Sequence, residues 1–214
     1  MGLVVDEDGR NYRKINGTQP QDISFNTSGT MGVFTGVDHN IYIVYLDKDP
    51  QPSKITDASN NEWYSDPEFI GDGSRILYAQ RKHKSNNNVG TKDIFTMDLD
   101  GKNVIQVSNA PSLEKFTMPR MSPDGDEILY VADTGNNRIQ KFTLDGEYIS
   151  HFGKNGFKDS DLRKPVDLAF DSSGNIYVAD IQGKKIVKFT NDGEFLTSLD
   201  GNFAGFPITP KGID

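Results

Sequence analysis

Four short strands that recur about every 47 residues, a turn-rich composition and two chain ends that complement each other predict an all-β fold. The predicted architecture is a β-propeller of five blades, mainly of four antiparallel strands, with one blade split between the N- and C-termini. The recurrence carries most of the weight. Prolines stand in like settings at Pro20, Pro67, Pro119, Pro165 and Pro210, spaced by 47, 52, 46 and 45 residues. A glycine turn follows each of the first four, at Gly29, Gly73, Gly125 and Gly174. Hydrophobic residues are only 35% of the 214, and they come in short alternating bursts rather than at helical spacing.

Each repeat resolves into strands. The first blade is predicted at 21–25, 31–36, 41–46 and 53–56, and the second at 67–70, 75–80, 93–98 and 103–107. The third follows at 119–122, 127–132, 138–143 and 147–151, and the fourth at 165–170, 175–179, 185–190 and 194–199. Asp100-Gly101, Asp145-Gly146 and Asp192-Gly193 are hairpin signals between third and fourth strands. A proline opening the innermost strand needs no ladder N–H there.

The ends supply the fifth blade. Gly2–Gly17 aligns without a gap on Ile94–Asn109, so Asp6, Asp8, Gly9 and Asn11 fall on Asp98, Asp100, Gly101 and Asn103. The chain thus starts with the third and fourth strands of a blade. It ends, at Ile208–Asp214, with what reads as a first strand. Meeting of the two closes a ring and removes open sheet edges, although the split blade lacks its second strand. The whole of 1–214 is read as one domain.

Composition excludes several functions. A net charge of -8 opposes a broad nucleic-acid or anionic-membrane surface. With no cysteine, neither disulfide nor thiol chemistry is available. No segment approaches the length of an apolar membrane span, and the N-terminus has neither the basic nor the apolar region of a signal peptide. The sequons at Asn16 and Asn26 are accordingly expected to be unused.

Two stretches carry a family resemblance. Pro67-Glu68-Phe69, Asp72-Gly73-Ser74-Arg75-Ile76, Asp93–Gly101 and the turn Ser122-Pro123-Asp124-Gly125 make residues 1–129, most clearly 60–129, resemble TolB-type propeller repeats. Tyr130–Phe142 (YVADTGNNRIQKF), repeated by Ile176–Asp180 and Lys185–Phe189, makes residues 130–214 resemble NHL repeats. The resemblance implies propellers of six blades, one more than the spacing predicts, with protein binding at a face for the first family and protein or RNA binding for the second. The two styles meet inside a single strand, Ile128–Ala132, which points to a recombined or engineered chimera.

Candidate chemistry is sparse. His39, His83 and His151 fall on three different blades and none pairs with another at metal-ligand spacing. His39 is expected in a solvated turn and His151 on an outer strand. No nucleophile elbow, zinc-protease motif or Gly-rich phosphate loop is present. The acidic turns Asp6-Glu7-Asp8-Gly9 and Asp98-Leu99-Asp100-Gly101 lack the remaining positions of a calcium loop and read as hairpins. The basic stretch Arg81–Lys92 reads as an expanded loop. Arg138, Lys141, Lys184, Lys185 and Lys188 are scattered without the interleaved aromatics of an RNA-binding face. Asp133 and Asp180 recur at one repeat position, where capping of turn N–H groups is expected.

These readings lead to a non-catalytic scaffold, with no catalytic, cofactor-binding or metal residue assigned. If natural, it would bind a protein partner at the propeller face; it would be a monomer, with self-association through the split blade if its edges stay open. The alternative is an enzyme of the channel-metal lactonase or hydrolase kind.

Overall fold

The computed structural model describes residues 2–5, 12–15, 21–48, 51–58, 62–82, 92–108, 116–122 and 128–200. They hold eighteen strands, and no helix occurs among them. A two-stranded antiparallel hairpin pairs β1 (Gly2–Val5) with β2 (Tyr12–Ile15). Four antiparallel sheets of four strands follow. The first joins β3 (Gln21–Phe25), β4 (Met31–Thr35), β5 (Ile41–Tyr45) and β6 (Ser53–Lys54). The second joins β7 (Glu62–Ile70), β8 (Arg75–Lys82), β9 (Lys92–Asp98) and β10 (Ile105–Gln106). The third joins β11 (Phe116–Met121), β12 (Ile128–Asp133), β13 (Arg138–Thr143) and β14 (Tyr148–Phe152). The fourth joins β15 (Pro165–Phe170), β16 (Ile176–Asp180), β17 (Lys185–Phe189) and β18 (Phe195–Asp200). Each sheet is a meander, so sequence neighbours are hydrogen-bonded neighbours. The predicted final strand at 208–214, and with it the closing of the split blade, lies outside the described residues.

The chain divides into two compact units, residues 1–90 with 94–106 and residues 91–93 with 107–214. In the first, β7 lies against β3, β4 and β5. The apolar residues between these sheets are Val33, Ile41, Ile76, Tyr78 and Met97, joined by Ile55, Tyr64, Phe69, Phe95 and Leu99. In the second, β15 lies against β11 and β12. Its core gathers Tyr130, Ile139, Phe152, Leu168, Ile176, Val178, Val187 and Phe189, with Ile128 and Phe170 at the margin. Strands with a period of two put every other side chain into such a core. Ile128, Tyr130 and Ala132 do so here, while Leu129 and Val131 are buried on the opposite face of β12.

Polar ties fix the sheets of the second unit. Tyr130 Oη donates to Asn191 O at 3.3 Å, and Lys141 Nζ, 5.2 Å over the Tyr130 ring, donates to the same carbonyl at 3.0 Å. Gly193, at φ +84, closes the β17–β18 turn directly against Phe152; a Cβ there would stand 2.5 Å from the Phe152 Cβ.

The first strands differ from expectation in one respect. Proline was read as the strand start, yet β7 begins at Glu62 and β11 at Phe116, both upstream of their prolines. The reason is a β-bulge. Register shifts fall between Gln21 and Ser24, Ser65 and Glu68, Thr117 and Arg120, and Pro165 and Asp167. A bulge leaves one residue out of the ladder, so a residue without an N–H costs nothing there and pairing resumes on its far side.

Candidate functional site

A bulge re-aims the side chains beside it, which is why bulges recur next to functional sites. In this chain Asp66 lies within the register shift of β7, and Arg120 and Asp167 are the first paired residues after the shifts of β11 and β15. Asp22 lies within the register shift of β3, where only the backbone is described. Asp66 adopts φ 55, the left-handed region, inside a strand. Strained backbone of that kind persists only where surrounding structure holds it. The Ser65 hydroxyl donates to the Asp66 carboxylate at 2.8 Å.

Arg120 and Asp167 come together. Arg120 Nε donates to Leu168 O at 3.2 Å, and its Nη2 stands 3.7 Å from Asp167 Oδ1. Asp167 Oδ1 also accepts the Leu168 N–H at 2.9 Å. The Asp167 side chain is 3% exposed and the Arg120 side chain 26%, so the guanidinium is the accessible member and the carboxylate the buried anchor. Beside them Thr134 Oγ1 donates to Pro165 O at 2.7 Å, tying the end of β12 to the start of β15. The arrangement fixes a cation, with its hydrogen-bond fork oriented, at the first strands of two adjoining sheets. Such a group can bind an anion or stabilise negative charge that develops on a carbonyl oxygen.

The residues singled out from sequence fall elsewhere. Asp180 is fully buried and caps backbone donors as expected, accepting the N–H groups of Arg163 (2.9 Å), Lys164 (2.7 Å) and Gly183 (3.1 Å). Asp133 is equally buried but accepts side-chain donors instead: Asn136 Nδ2, Arg138 Nε and Gln140 Nε2. His39 lies in the β4–β5 turn at φ 59, and its ring stacks on Trp63, with centroids 4.4 Å apart and planes at 17°. The stack went unread because the two residues lie on different sheets. His151 is exposed on β14, in contact with Tyr148 Oη at 2.5 Å. His83 and residues 83–91 of the basic loop lie outside the described residues, as does the turn Asp6–Gly9. The other acidic turn is a hairpin: Gly101 N–H donates to Asp98 O, and Arg75 and Asn103 donate to the Asp98 carboxylate. Burial pushes the Asp38 carboxyl up, but hydrogen bonds from Asn40 and Tyr42 outweigh it and hold Asp38 low.

A channel-metal enzyme needs several oxygen ligands converging on one ion. Among the described residues, no three of His, Cys, Asp or Glu converge in that way. Asp133, Asp167 and Asp180 already accept protein N–H donors. The described side chains therefore assemble no divalent-metal site.

The fold is that of a β-propeller: all-β, with antiparallel four-stranded sheets, and shared with solved propellers. Virginiamycin B lyase from Staphylococcus aureus superposes with a TM-score of 0.66 at 18% identity, over 98% of this chain and 65% of that one. A luciferin-regenerating enzyme gives 0.60 at 15% identity, over 92% and 68%. The calcium-binding protein regucalcin from Agrobacterium tumefaciens gives 0.61 at 14%, over 90% and 64%. The chain thus spans 64% to 68% of the length of these structures. No curated protein matches the sequence.

One family model, described as SMP-30/gluconolactonase/LRE-like region, matches residues 3–204 without a break. It runs through the supposed junction at Ile128–Ala132, and β12 shows none: its register with β13 is continuous from Ile128↔Thr143 to Asp133↔Arg138. The reading as a recombined, non-catalytic scaffold is therefore corrected. The expectation that the chain is no enzyme falls with it, since the matching family takes its name in part from a gluconolactonase. Blade-level motifs misled because every propeller family must solve the same turn and strand problem, so a local motif reports blade geometry more than parentage. The chain belongs to the SMP-30/gluconolactonase/LRE-like family.

Proposed function

We propose that the chain is a propeller hydrolase acting on lactones or related carboxylic esters. The family match over residues 3–204 carries this reading, and the accessible, oriented guanidinium of the Arg120–Asp167 pair supports it. One propeller domain over 1–214 is part of the proposal. So is the sequence style of its halves, TolB-like over 1–129 and NHL-like over 130–214.

In lactone hydrolysis, water adds to the carbonyl carbon, the acyl C–O bond breaks, and the ring oxygen leaves with a proton as an alcohol. Negative charge builds on the carbonyl oxygen as water adds. The Arg120 guanidinium, pinned by Leu168 O and Asp167, receives that charge without having to reorganise. Asp167 is a positioning residue, acting through Arg120.

Acid release from a panel of lactones and esters, followed at constant pH, tests the reading. Arg120→Met should lower kcat by roughly 100-fold, the usual worth of an oxyanion donor. Asp167→Asn should lower kcat with KM little changed, and Arg120→Lys should not rescue, because an ammonium lacks the fork. Absence of turnover across the panel would sink the proposal.

A further inference from the structure

The connection from β14 to β15, residues 153–164, is built more stiffly than joining two strands requires. Asn155 and Leu162 form a short parallel bridge. Leu162 N–H donates to Lys154 O at 2.8 Å, Asp161 N–H to Lys158 O at 3.0 Å, and Lys158 N–H to Asp161 Oδ2 at 3.0 Å. Lys185, only 8% exposed, reaches in from β17 and donates to Lys158 O and Asp159 O, both at 2.8 Å. Gly156 packs so closely on Asp161 that a Cβ there would overlap the carboxylate.

On this ordered loop one large apolar side chain faces solvent. Phe157, within the loop, is 88% exposed, more than any other large hydrophobic among the described residues. The Arg163 guanidinium lies 4.7 Å from its ring centroid, with Nη1 donating to Gln182 O at 3.3 Å. The apolar ring is held outward on an ordered loop, with one face against Arg163 and the other open to a ligand ring. The local charge says what it would recognise. Residues 153–164 and 180–185 carry six cationic side chains, Lys154, Lys158, Arg163, Lys164, Lys184 and Lys185, in a chain of net charge -8. Against them stand three carboxylates; with Lys185, Asp161 and Asp180 buried, five cations and the one carboxylate of Asp159 remain toward the surface.

We infer that Phe157 and Arg163 form a recognition platform for a small organic anion, a carboxylate carried on an apolar ring. The ring stacks on the Phe157 face that Arg163 leaves open, and the carboxylate takes guanidinium N–H groups. The inference rests on the hydrolase reading for its purpose. Arg163 precedes Asp167 by four residues, at most about 14 Å of chain, and beside that pair the platform would select esters that carry a negative charge.

Benzoate and the neutral benzamide, titrated into the full chain and followed by ligand-observed NMR, test the platform without turnover. Benzoate should bind about tenfold more tightly, the worth of one charge-assisted hydrogen bond, and Phe157→Ala and Arg163→Gln should each abolish the preference. In kinetics, carboxyphenyl acetate should show a KM about tenfold below that of phenyl acetate, a gap closed by Arg163→Gln. Benzoate selectivity lost in both variants, with no esterase activity, upholds the platform and defeats the hydrolase reading. Esterase activity with equal binding of benzoate and benzamide, or with selectivity untouched in both variants, overturns the platform and leaves the hydrolase reading intact.

Discussion

Asp133 and Asp180 occupy one repeat position and solve one problem in two ways. Both carboxylates are fully buried, so each must collect donors. Asp133 finds Arg138 and Gln140 on the paired strand; Asp180 faces Lys185 and Val187 at the matching places and turns to backbone N–H groups. Recurrence of the aspartates was legible in the sequence, but the choice of donors depended on which side chains their partner strands offered. Removing the Asp133 acceptor leaves three donors unpaired, so Asp133→Ala should lower stability in urea by about 3 kcal/mol. An unchanged midpoint would show the network to be dispensable. Asp171 has a different exposure and a different test. Hydrogen bonds from Asn175, then Lys188, hold its carboxyl far below 3.8, while Tyr177 and Asp171 raise Lys188 above 10.5. A depressed carboxylate contributes stability above its unfolded value of 3.8 and loses it as pH falls below. A raised lysine contributes below 10.5 and loses it as pH rises. Asp171→Asn should therefore reduce Tm at neutral pH, by a difference that shrinks steadily as pH is lowered below 3.8.

At the scale of the element, strand positions follow from alternation and turn residues, and β15 was read to the residue as 165–170. The departures cluster at the bulges. Pro67 and Pro119 looked like strand starts, yet Ser65↔Ala79 through Glu62↔Lys82, and Thr117↔Ala132 with Phe116↔Asp133, continue the ladder beyond them. The same feature hid the Arg120–Asp167 pair. Nothing local in either strand announces a partner 47 residues away, and each of the two follows a register shift in its own strand. The one available signal was that each follows a recurrent proline within two residues. Turn chemistry also makes a sharp prediction. Gly193→Ala would combine φ +84 with a Cβ 2.5 Å from Phe152, so a loss of about 2 to 3 kcal/mol is expected, with the sheet signature in circular dichroism retained. A neutral substitution would mean that Phe152 moves freely, contrary to its buried place against Phe189.

At the scale of the molecule, the propeller class was legible because repeat spacing is a property of the whole chain. Function was not, because it does not reside in any one repeat. Motifs of the two halves suggested two parents, whereas the match from residue 3 to 204 treats them as one. Hydrolysis of an ester bond is the proposed reaction, and among the solved structures that share the fold is a lyase, so two outcomes are to be distinguished. Turnover of a cyclic ester in heavy-oxygen water, with the product weighed by mass spectrometry, separates them directly. The account predicts a hydroxy acid carrying one heavy oxygen in its carboxylate, at a rate that Arg120→Met cuts by roughly 100-fold. An unlabelled, unsaturated acid, or labelled product formed equally fast by Arg120→Met, would contradict it.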